Sequence, residues 1–315
     1  IDPHYKSPTV WVKDASRAVG VAQSLISADL KASFVAANEA DYADIRARHA
    51  NKANAKRLVS LEHARAQRFQ GRWTEYEPPR PVQAGLTRFQ DFPLRELVDY
   101  IDWTPFFQSW ELSGRYPAIL HDPVVGVQAS ELFDDAQQMI GQIIDGHWLT
   151  ANGVVGIWPA HSVGDDIEVF NEHGGELAVI QCLRQQVEKP AERPDFCLAD
   201  FIAPHDSGRK DWFGAFAVTT GLGCEDRARA FESVHDDYSA IVLKSLADRF
   251  AEAFAECLHA KVRKQLWGYA AGETIGFDAL IDESYQGIRP APGYPACPDH
   301  TTKSTLFRLL NAGDN

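Results

Sequence analysis

The stretch 153–183, GVVGIWPAHSVGDDIEVFNEHGGELAVIQCL, decides the fold class. It contains apolar runs of strand length at 153–160, 165–170 and 176–183, and a further run lies at 212–218. Between two of these runs, NEHGGE (171–176) has the paired glycines typical of a β-hairpin loop. Hairpin-linked strands pair in antiparallel fashion, so this region predicts an antiparallel sheet.

Helical periodicity flanks the predicted sheet on both sides. Residues 126–145 form an amphipathic pattern with Gly146 as a plausible C-cap. The apolar positions of this pattern are Val127, Leu132, Ala136, Met139, Ile140 and Ile143. A second helical stretch runs from about 225 to 269, with a break near 221–224 or around His235. Its stripe comprises Tyr238, Val242, Leu246, Phe250, Phe254, Leu258 and Val262.

Shorter helices are expected at 94–100, 278–286 and 301–310. Helices and strands do not alternate regularly along the chain. The sequence therefore predicts an α+β fold, with a mostly antiparallel sheet flanked by long helices.

The N-terminal part differs in composition from the rest. Residues 8–27 predict a short strand at Val10–Val12, a polar turn and a helix, and a charged helix is expected at 38–49. The segment 50–70 is rich in Lys, Arg, Ala and Gln, as linkers often are. We therefore divide the chain into 1–50, a linker at 51–72, and a main domain at 73–315 that begins with a proline-rich entry.

Composition excludes several classes of protein. The 315 residues carry a formal net charge of −13, which disfavours nucleic acid as a partner. No apolar run is long enough for a membrane span, and the N-terminus has no signal-peptide layout. The five cysteines are widely spaced, which argues against a disulfide framework or a zinc cluster and favours a reducing cytoplasm.

The densest chemical signal is the loop 289–300, RPAPGYPACPDH. Its four prolines fix the backbone before any ligand arrives, which lowers the ordering cost of binding. Arg289 offers a fork for a carboxylate, Gly293 permits close backbone approach, and Tyr294 offers a flat face. These residues suit a ligand with a carboxylate and a planar ring. A rigid structural turn with a surface arginine is the alternative.

Acidic residues elsewhere are open to two interpretations. Asp102 is a lone acid within the aromatic segment IDWTPFFQSWEL (101–112), and such an acid is usually a helix N-cap or a surface acid. Glu252 has Asp248 and Glu256 four residues away on either side. Such an acidic stripe is typical of a solvated helix face.

The loop 289–300 is similar to the R-x-x-x-G-Y-P-A-C-P signature of the reactivation domain of cobalamin-dependent methionine synthase. The other segments that resemble this family are DYADIRARH, IDWTPFF, VVGIWPA, ADFIAP, GAFAVTTGL, HDDY and LADRFAEAFAE. The resemblance runs through nearly the whole chain. It implies a methyltransferase of methionine biosynthesis whose domain binds S-adenosylmethionine outside a Rossmann fold. There the methyl group serves reductive reactivation of cob(II)alamin, with one electron from flavodoxin or a related donor.

The family motifs also imply roles for individual residues. Arg289 would hold the ligand's carboxylate and Asp102 its α-ammonium group. Ala291 and Gly293 would contact the adenosyl part through backbone, with Tyr294 packed beside them. Glu252 would lie near the sulfonium or the cobalamin. The resemblance places Glu283 and His300 near the corrin or its displaced histidine.

The family pattern also departs from this chain. A Tyr-Phe pair of the family's ligand site lies downstream of Asn315, so the domain is expected to be truncated and its site incomplete. Residues 1–50 resemble the end of the cobalamin domain, with Ala15 near the corrin. The D-x-H-x-x-G cobalt motif and the zinc cysteines of the homocysteine domain are absent from the sequence. The alternative function is a module that docks on the cobalamin domain or the electron donor without a competent ligand site.

Overall fold

The computed structural model describes residues 5, 7–12, 15–53, 57–190 and 192–314. Contacts between Cα atoms group the chain into two compact units. One unit runs to Ala64 and takes in 186–193, and the other comprises 65–185 and the chain from Pro194 onward. No helix within the described ranges is long and apolar enough to cross a membrane.

Helices dominate both ends of the chain, and the strands lie between them. The helices are α1 (Ala15–Ile26), α2 (Lys31–Ala53), α3 (Leu61–Ala66), α4 (Leu94–Leu97), α5 (Trp103–Ser109), α6 (Gly126–Asp145), α7 (Cys224–Glu232), α8 (Asp237–Lys261), α9 (Phe277–Ile281) and α10 (Thr302–Leu310). The strands are β1 (Gly85–Phe89), β2 (Thr150–Val163), β3 (Asp166–Phe170), β4 (Glu176–Gln181) and β5 (Asp211–Leu222).

The smaller unit is built on α1 and α2, which pack against each other. The predicted strand at Val10–Val12 is wrong, because a side chain of α2 forms a hydrogen bond with the backbone there. The Trp11 N–H donates to the Tyr42 hydroxyl at 2.7 Å. Residues 38–49, predicted as a helix, lie within the longer α2. The predicted linker contains α3, whose Ala64 is fully buried. The three-part division of the chain stays a prediction.

The sheet of the larger unit is organised around β2. Strands β1 and β3 pair with successive parts of one edge of β2, β5 pairs with the other edge, and β4 pairs with β3. All of these pairings are antiparallel, which confirms the predicted α+β fold class. The predicted hairpin at 171–176 also forms, with Gly174 at φ 83°.

Alternate residues of β2 face two different cores, as the period of a strand requires. Val155 and Ile157 belong to a large cluster that includes α6 and α8. Val154 and Trp158 belong to a second cluster that includes Leu310 of α10. Gly153 allows α8 to lie close to the strand, because a Cβ there would come within 2.9 Å of Phe254 Cζ.

The long helical stretch is broken where one of the two predicted breaks was placed. Helix α7 ends at Glu232, His235 has φ 63°, and Asp236 caps α8 by accepting from the Ser239 N–H at 3.1 Å. Most of the predicted stripe is buried, but Tyr238 is 45% exposed and Val127 of α6 is 77% exposed. Both lie within the first two residues of their helices, where the apolar face extends past the core.

Candidate functional site

The candidate site is built on the proline loop that follows α9. The Gly293 N–H donates to the Cys297 carbonyl at 2.8 Å, and the Cys297 N–H donates to the Tyr294 carbonyl at 2.9 Å. Gly293 has φ 112°, a backbone conformation that side chains other than glycine rarely adopt. The loop therefore closes on itself through its own backbone.

The outer surface of this loop is open to solvent. Ala291, Gly293 and His300 are exposed, and Tyr294 is 63% exposed. Cys297 is buried and anchors the loop. The His300 ring lies against Gly293, where a Cβ would come within 2.7 Å of Cε1. The loop thus presents backbone, one aromatic ring and one imidazole on an accessible face.

The Arg289 side chain pairs with a carboxylate of α8 and lies near the segment that follows α9. Its Nη2 donates to Glu256 Oε1, and the Tyr285 hydroxyl lies near enough to the guanidinium for Arg289 to act to lower the pKa of Tyr285, against the effect of burial. The side chains of Arg289 and Glu256 keep 21% and 15% of their exposure. Burial raises the pKa of Glu256, while Arg289 acts in the opposite direction. The ion pair is therefore partly shielded from water but still accessible to a ligand.

A second, fully buried arginine lies beneath this pair. Arg263 donates to Glu273 through two bonds, Nη2 to Oε1 at 2.6 Å and Nε to Oε2 at 3.0 Å. Its Nη1 lies 2.9 Å from His259 Nδ1, and its guanidinium stacks over the Tyr285 ring at 4.1 Å from the centroid. Burial, helped by Arg263 and Arg289, lowers the pKa of His259 to about 3. His259 is therefore neutral near pH 7 and accepts from Arg263.

Two further predicted acids lie close enough to act on Glu256. Glu252 is exposed one turn earlier on α8, and Glu283 follows α9 with φ 53°. The negative charges of Glu283 and Glu252 contribute to the raised pKa of Glu256. The structure therefore brings Glu252, Glu283 and Arg289 together around Glu256.

The two remaining predicted site residues, Asp102 and Ala15, belong to other elements of the chain. Asp102 is the N-cap of α5, and its Oδ1 accepts from the Thr104 N–H at 3.0 Å. The cap interpretation of Asp102 is therefore realised in the structure, while its role in ligand binding stays a prediction. Ala15 begins α1 in the other unit, and the structure does not describe its side chain.

Sequence reasoning missed the inner residues of the site. Glu256 was considered only as part of an acidic stripe, and Arg263 was not singled out. One signal was available: Glu256, His259 and Arg263 recur at three- and four-residue spacing and so share one face of a helix. That face also carries buried apolar residues, which marks its polar members as paired.

A cleft of about 470 Å³ also opens in the larger unit. Its lining includes Arg68, Trp73, Ser162, Asp200, His205 and Asp206. It shares no residue with the proline-loop site, and Asp200 is already engaged by the buried Arg184. Among the described residues, no group of three or more His, Cys, Asp or Glu is arranged to hold a metal ion.

Comparison with known proteins identifies the family. The family model for the activation domain of vitamin B12-dependent methionine synthase matches residues 93–315. Among solved structures, the chain is similar to the MetH reactivation domain bound to AdoHcy. The identity is 50%, the match covers 81% of this chain and 78% of that chain, and the TM-score is 0.77. The chain belongs to the activation-domain family of vitamin B12-dependent methionine synthase.

Proposed function

We propose that this chain binds S-adenosylmethionine at the proline loop and supplies its methyl group for reductive reactivation of methionine synthase. The observation that carries the proposal is the partly exposed guanidinium of Arg289, at the start of a solvent-exposed loop whose backbone is hydrogen-bonded to itself. The similar reactivation domain holds AdoHcy, which is S-adenosylmethionine without the transferable methyl group. That likeness supports the same class of ligand here.

The amino-acid end of the ligand would be held by two charges. Arg289 would donate to the carboxylate, because a guanidinium fork matches two carboxylate oxygens. Asp102 would accept from the α-ammonium group with the carboxylate that also caps α5. A capping carboxylate accepts several hydrogen bonds at once, so the two roles are compatible.

The adenosyl end would lie along the loop. Ala291 and Gly293 would contact it through backbone, since neither has a side chain that blocks close approach. Tyr294 would pack its exposed ring against the adenosyl group. His300 and Glu283 would border the side from which the methyl group leaves.

The charge of the site matches a cationic ligand. Glu252 and Glu283 both act electrostatically on Glu256, which is the ion-pair partner of Arg289. S-adenosylmethionine carries a sulfonium and an ammonium group against one carboxylate, so its net charge is positive. Because Glu256 is paired with Arg289, Glu252 and Glu283 are the carboxylates that complement the ligand's positive charge.

The partners of the reaction would lie outside the described site. Cobalamin would be held by the neighbouring domain of the same polypeptide, with Ala15 close to the corrin. One electron from flavodoxin or a related donor, with the methyl group, would restore methylcobalamin and release S-adenosylhomocysteine. We place this chemistry in the cytoplasm. Methyl transfer draws the unfavourable reduction forward because the product of the reduction is consumed.

Calorimetric titration of this chain with S-adenosylmethionine tests the proposal. The wild-type chain should bind, and Arg289→Ala should lose about 2 kcal/mol or more, the scale of a broken charged hydrogen bond. Arg229→Ala is the matched control, since Arg229 is an exposed arginine paired with Asp226. That variant should bind as the wild type does.

Two results would count against a ligand site. If the wild-type chain gives no heat with S-adenosylmethionine, the site in this chain is not competent, which favours the docking module for the cobalamin domain or the electron donor. If Arg289→Ala and Arg229→Ala bind equally well, the ligand lies elsewhere on the chain.

A further inference from the structure

The protein itself engages Arg289 more closely than the binding of a ligand carboxylate requires. Arg289 Nη2 donates to Glu256 Oε1, and Tyr285 lies close enough for Arg289 to act to lower its pKa. The Nε atom is buried without a partner, and so is Glu256 Oε2. The side chain of Arg289 still keeps 21% of its exposure, although Nε is buried. Glu256 thus covers one side of the guanidinium, and the accessible remainder is its outer end.

Tyr285 is itself fixed by buried neighbours. Its ring packs against the guanidinium of Arg263, 4.1 Å from the ring centroid, and against the ring of His259, at 4.9 Å between centroids and an interplanar angle of 80°. Arg263 has no exposed side-chain surface and is bound by Glu273. A buried and fully paired arginine does not change rotamer readily, so Tyr285 has a rigid base.

We propose that Glu256 is a positioning residue for the ligand-binding arginine, with Tyr285 as its helper. Glu256 holds Arg289 in the one orientation in which its outer end faces the ligand carboxylate. The inference rests on the proposed function, because it assigns a role to Glu256 in the same site.

A free arginine side chain samples many rotamers, and fixing it on binding costs free energy. A site that fixes the guanidinium beforehand avoids that cost when the ligand arrives. The competing interpretation is that Glu256 occupies Arg289 and must be displaced by the ligand. The buried Nε edge argues for positioning, because a ligand has no access to the side of the guanidinium that Glu256 covers.

Titration with two ligands separates these interpretations. The ligands are S-adenosylmethionine and its decarboxylated analogue, the same sulfonium without the carboxylate. Glu256→Gln should bind S-adenosylmethionine roughly tenfold more weakly than the wild type, the scale of one charged hydrogen bond. The decarboxylated analogue should bind the variant and the wild type equally well, because it makes no use of Arg289.

Two further variants, one of them a control outside the site, test this interpretation. Glu232→Gln makes the same change in an ion pair with Lys244 outside the site, and it should leave both affinities unchanged. Tyr285→Phe keeps the ring over Arg263 but removes the hydroxyl, and it should show a smaller loss that is again confined to the carboxylate ligand. Circular dichroism melts confirm that each variant is folded under the conditions of titration.

The outcomes are distinct. Unchanged or tighter binding of S-adenosylmethionine by Glu256→Gln would overturn the positioning role. An equal loss for both ligands would also overturn it, because a general structural defect does not discriminate between them. If the wild-type chain bound neither ligand, the proposed function itself would fail, and this inference with it.

Discussion

The His300 ring lies so close to Gly293 that a Cβ at that position would come within 2.7 Å of His300 Cε1. Gly293 also has φ 112°. The positive φ therefore requires glycine in the middle of the proline loop, and a larger residue there would also displace the His300 ring.

We expect Gly293→Ala to destabilise the chain by about 1–3 kcal/mol, because alanine is strained at positive φ and meets the histidine ring. Urea unfolding measures this change. Gly141→Ala is the matched control, since Gly141 lies within α6 and a Cβ there meets nothing within 4 Å. The control should be stabilised by up to about 1 kcal/mol. Equal effects of the two substitutions would mean that the loop has no special backbone requirement.

The buried arginine should be a major contributor to stability. Arg263→Met removes the guanidinium and leaves Glu273 and His259 without their partner. Breaking a buried ion pair in this way costs about 3–5 kcal/mol. The free energy of unfolding, measured with urea, should fall by that amount. The exposed Arg229→Met should leave the midpoint of unfolding unchanged. A change of Arg263 that is as mild as the control would contradict the buried network.

The pH dependence of stability should carry the signature of His259. Its pKa is lowered from 6.5 to about 3 in the folded chain, so the unfolded chain binds more protons between these values. Stability from this group is therefore complete above pH 6.5 and is lost as pH falls towards 3. The expected loss is about 1.4 kcal/mol for each pH unit within that window.

His259→Gln removes the titrating group but keeps an acceptor for Arg263. Between about pH 7.5 and about pH 5.5, the variant should lose less stability than the wild type does. The raised pKa of Glu256 acts in the opposite direction and is common to both chains. The lowered pKa of Glu273 matters only below 4.5. The exposed His173→Gln serves as the control, and parallel curves for wild type and His259→Gln would contradict the assignment.

Asp102 has two assigned roles that one substitution can separate. Asn is a good N-cap, so Asp102→Asn should keep the melting temperature while weakening S-adenosylmethionine binding by roughly tenfold. Asp102→Ala should weaken binding and also lose about 1 kcal/mol of stability, because α5 loses its cap. Calorimetric titration and thermal melts measure the two effects. Wild-type affinity in Asp102→Asn would leave Asp102 as a helix cap alone.

Local patterns along the chain predicted most of the fold. The apolar runs at 153–160 and 165–170 lie within β2 and β3, and the prediction for 126–145 matches α6. Strand β1 was missed because GLTRF at 85–89 is short and has only two large apolar residues. The predicted strand at Val10–Val12 failed because apolar character alone does not supply a neighbouring strand.

The candidate site was predictable only in part. The composition of the proline loop indicated Arg289, Gly293 and Tyr294 as surface groups with a shared purpose. The partner of Arg289 was not predictable, because Glu256 lies 33 residues earlier, on α8. Pairings over such distances depend on how helices pack, and the local sequence carries no signal for them.

The most direct test of the account is a crystal structure of this chain grown with S-adenosylhomocysteine. We expect the ligand on the proline loop, with its carboxylate bound to the outer end of Arg289 while Nη2 still donates to Glu256. A ligand seated in the cleft lined by Arg68 and Trp73, or an Arg289 that makes no contact with it, would contradict the account.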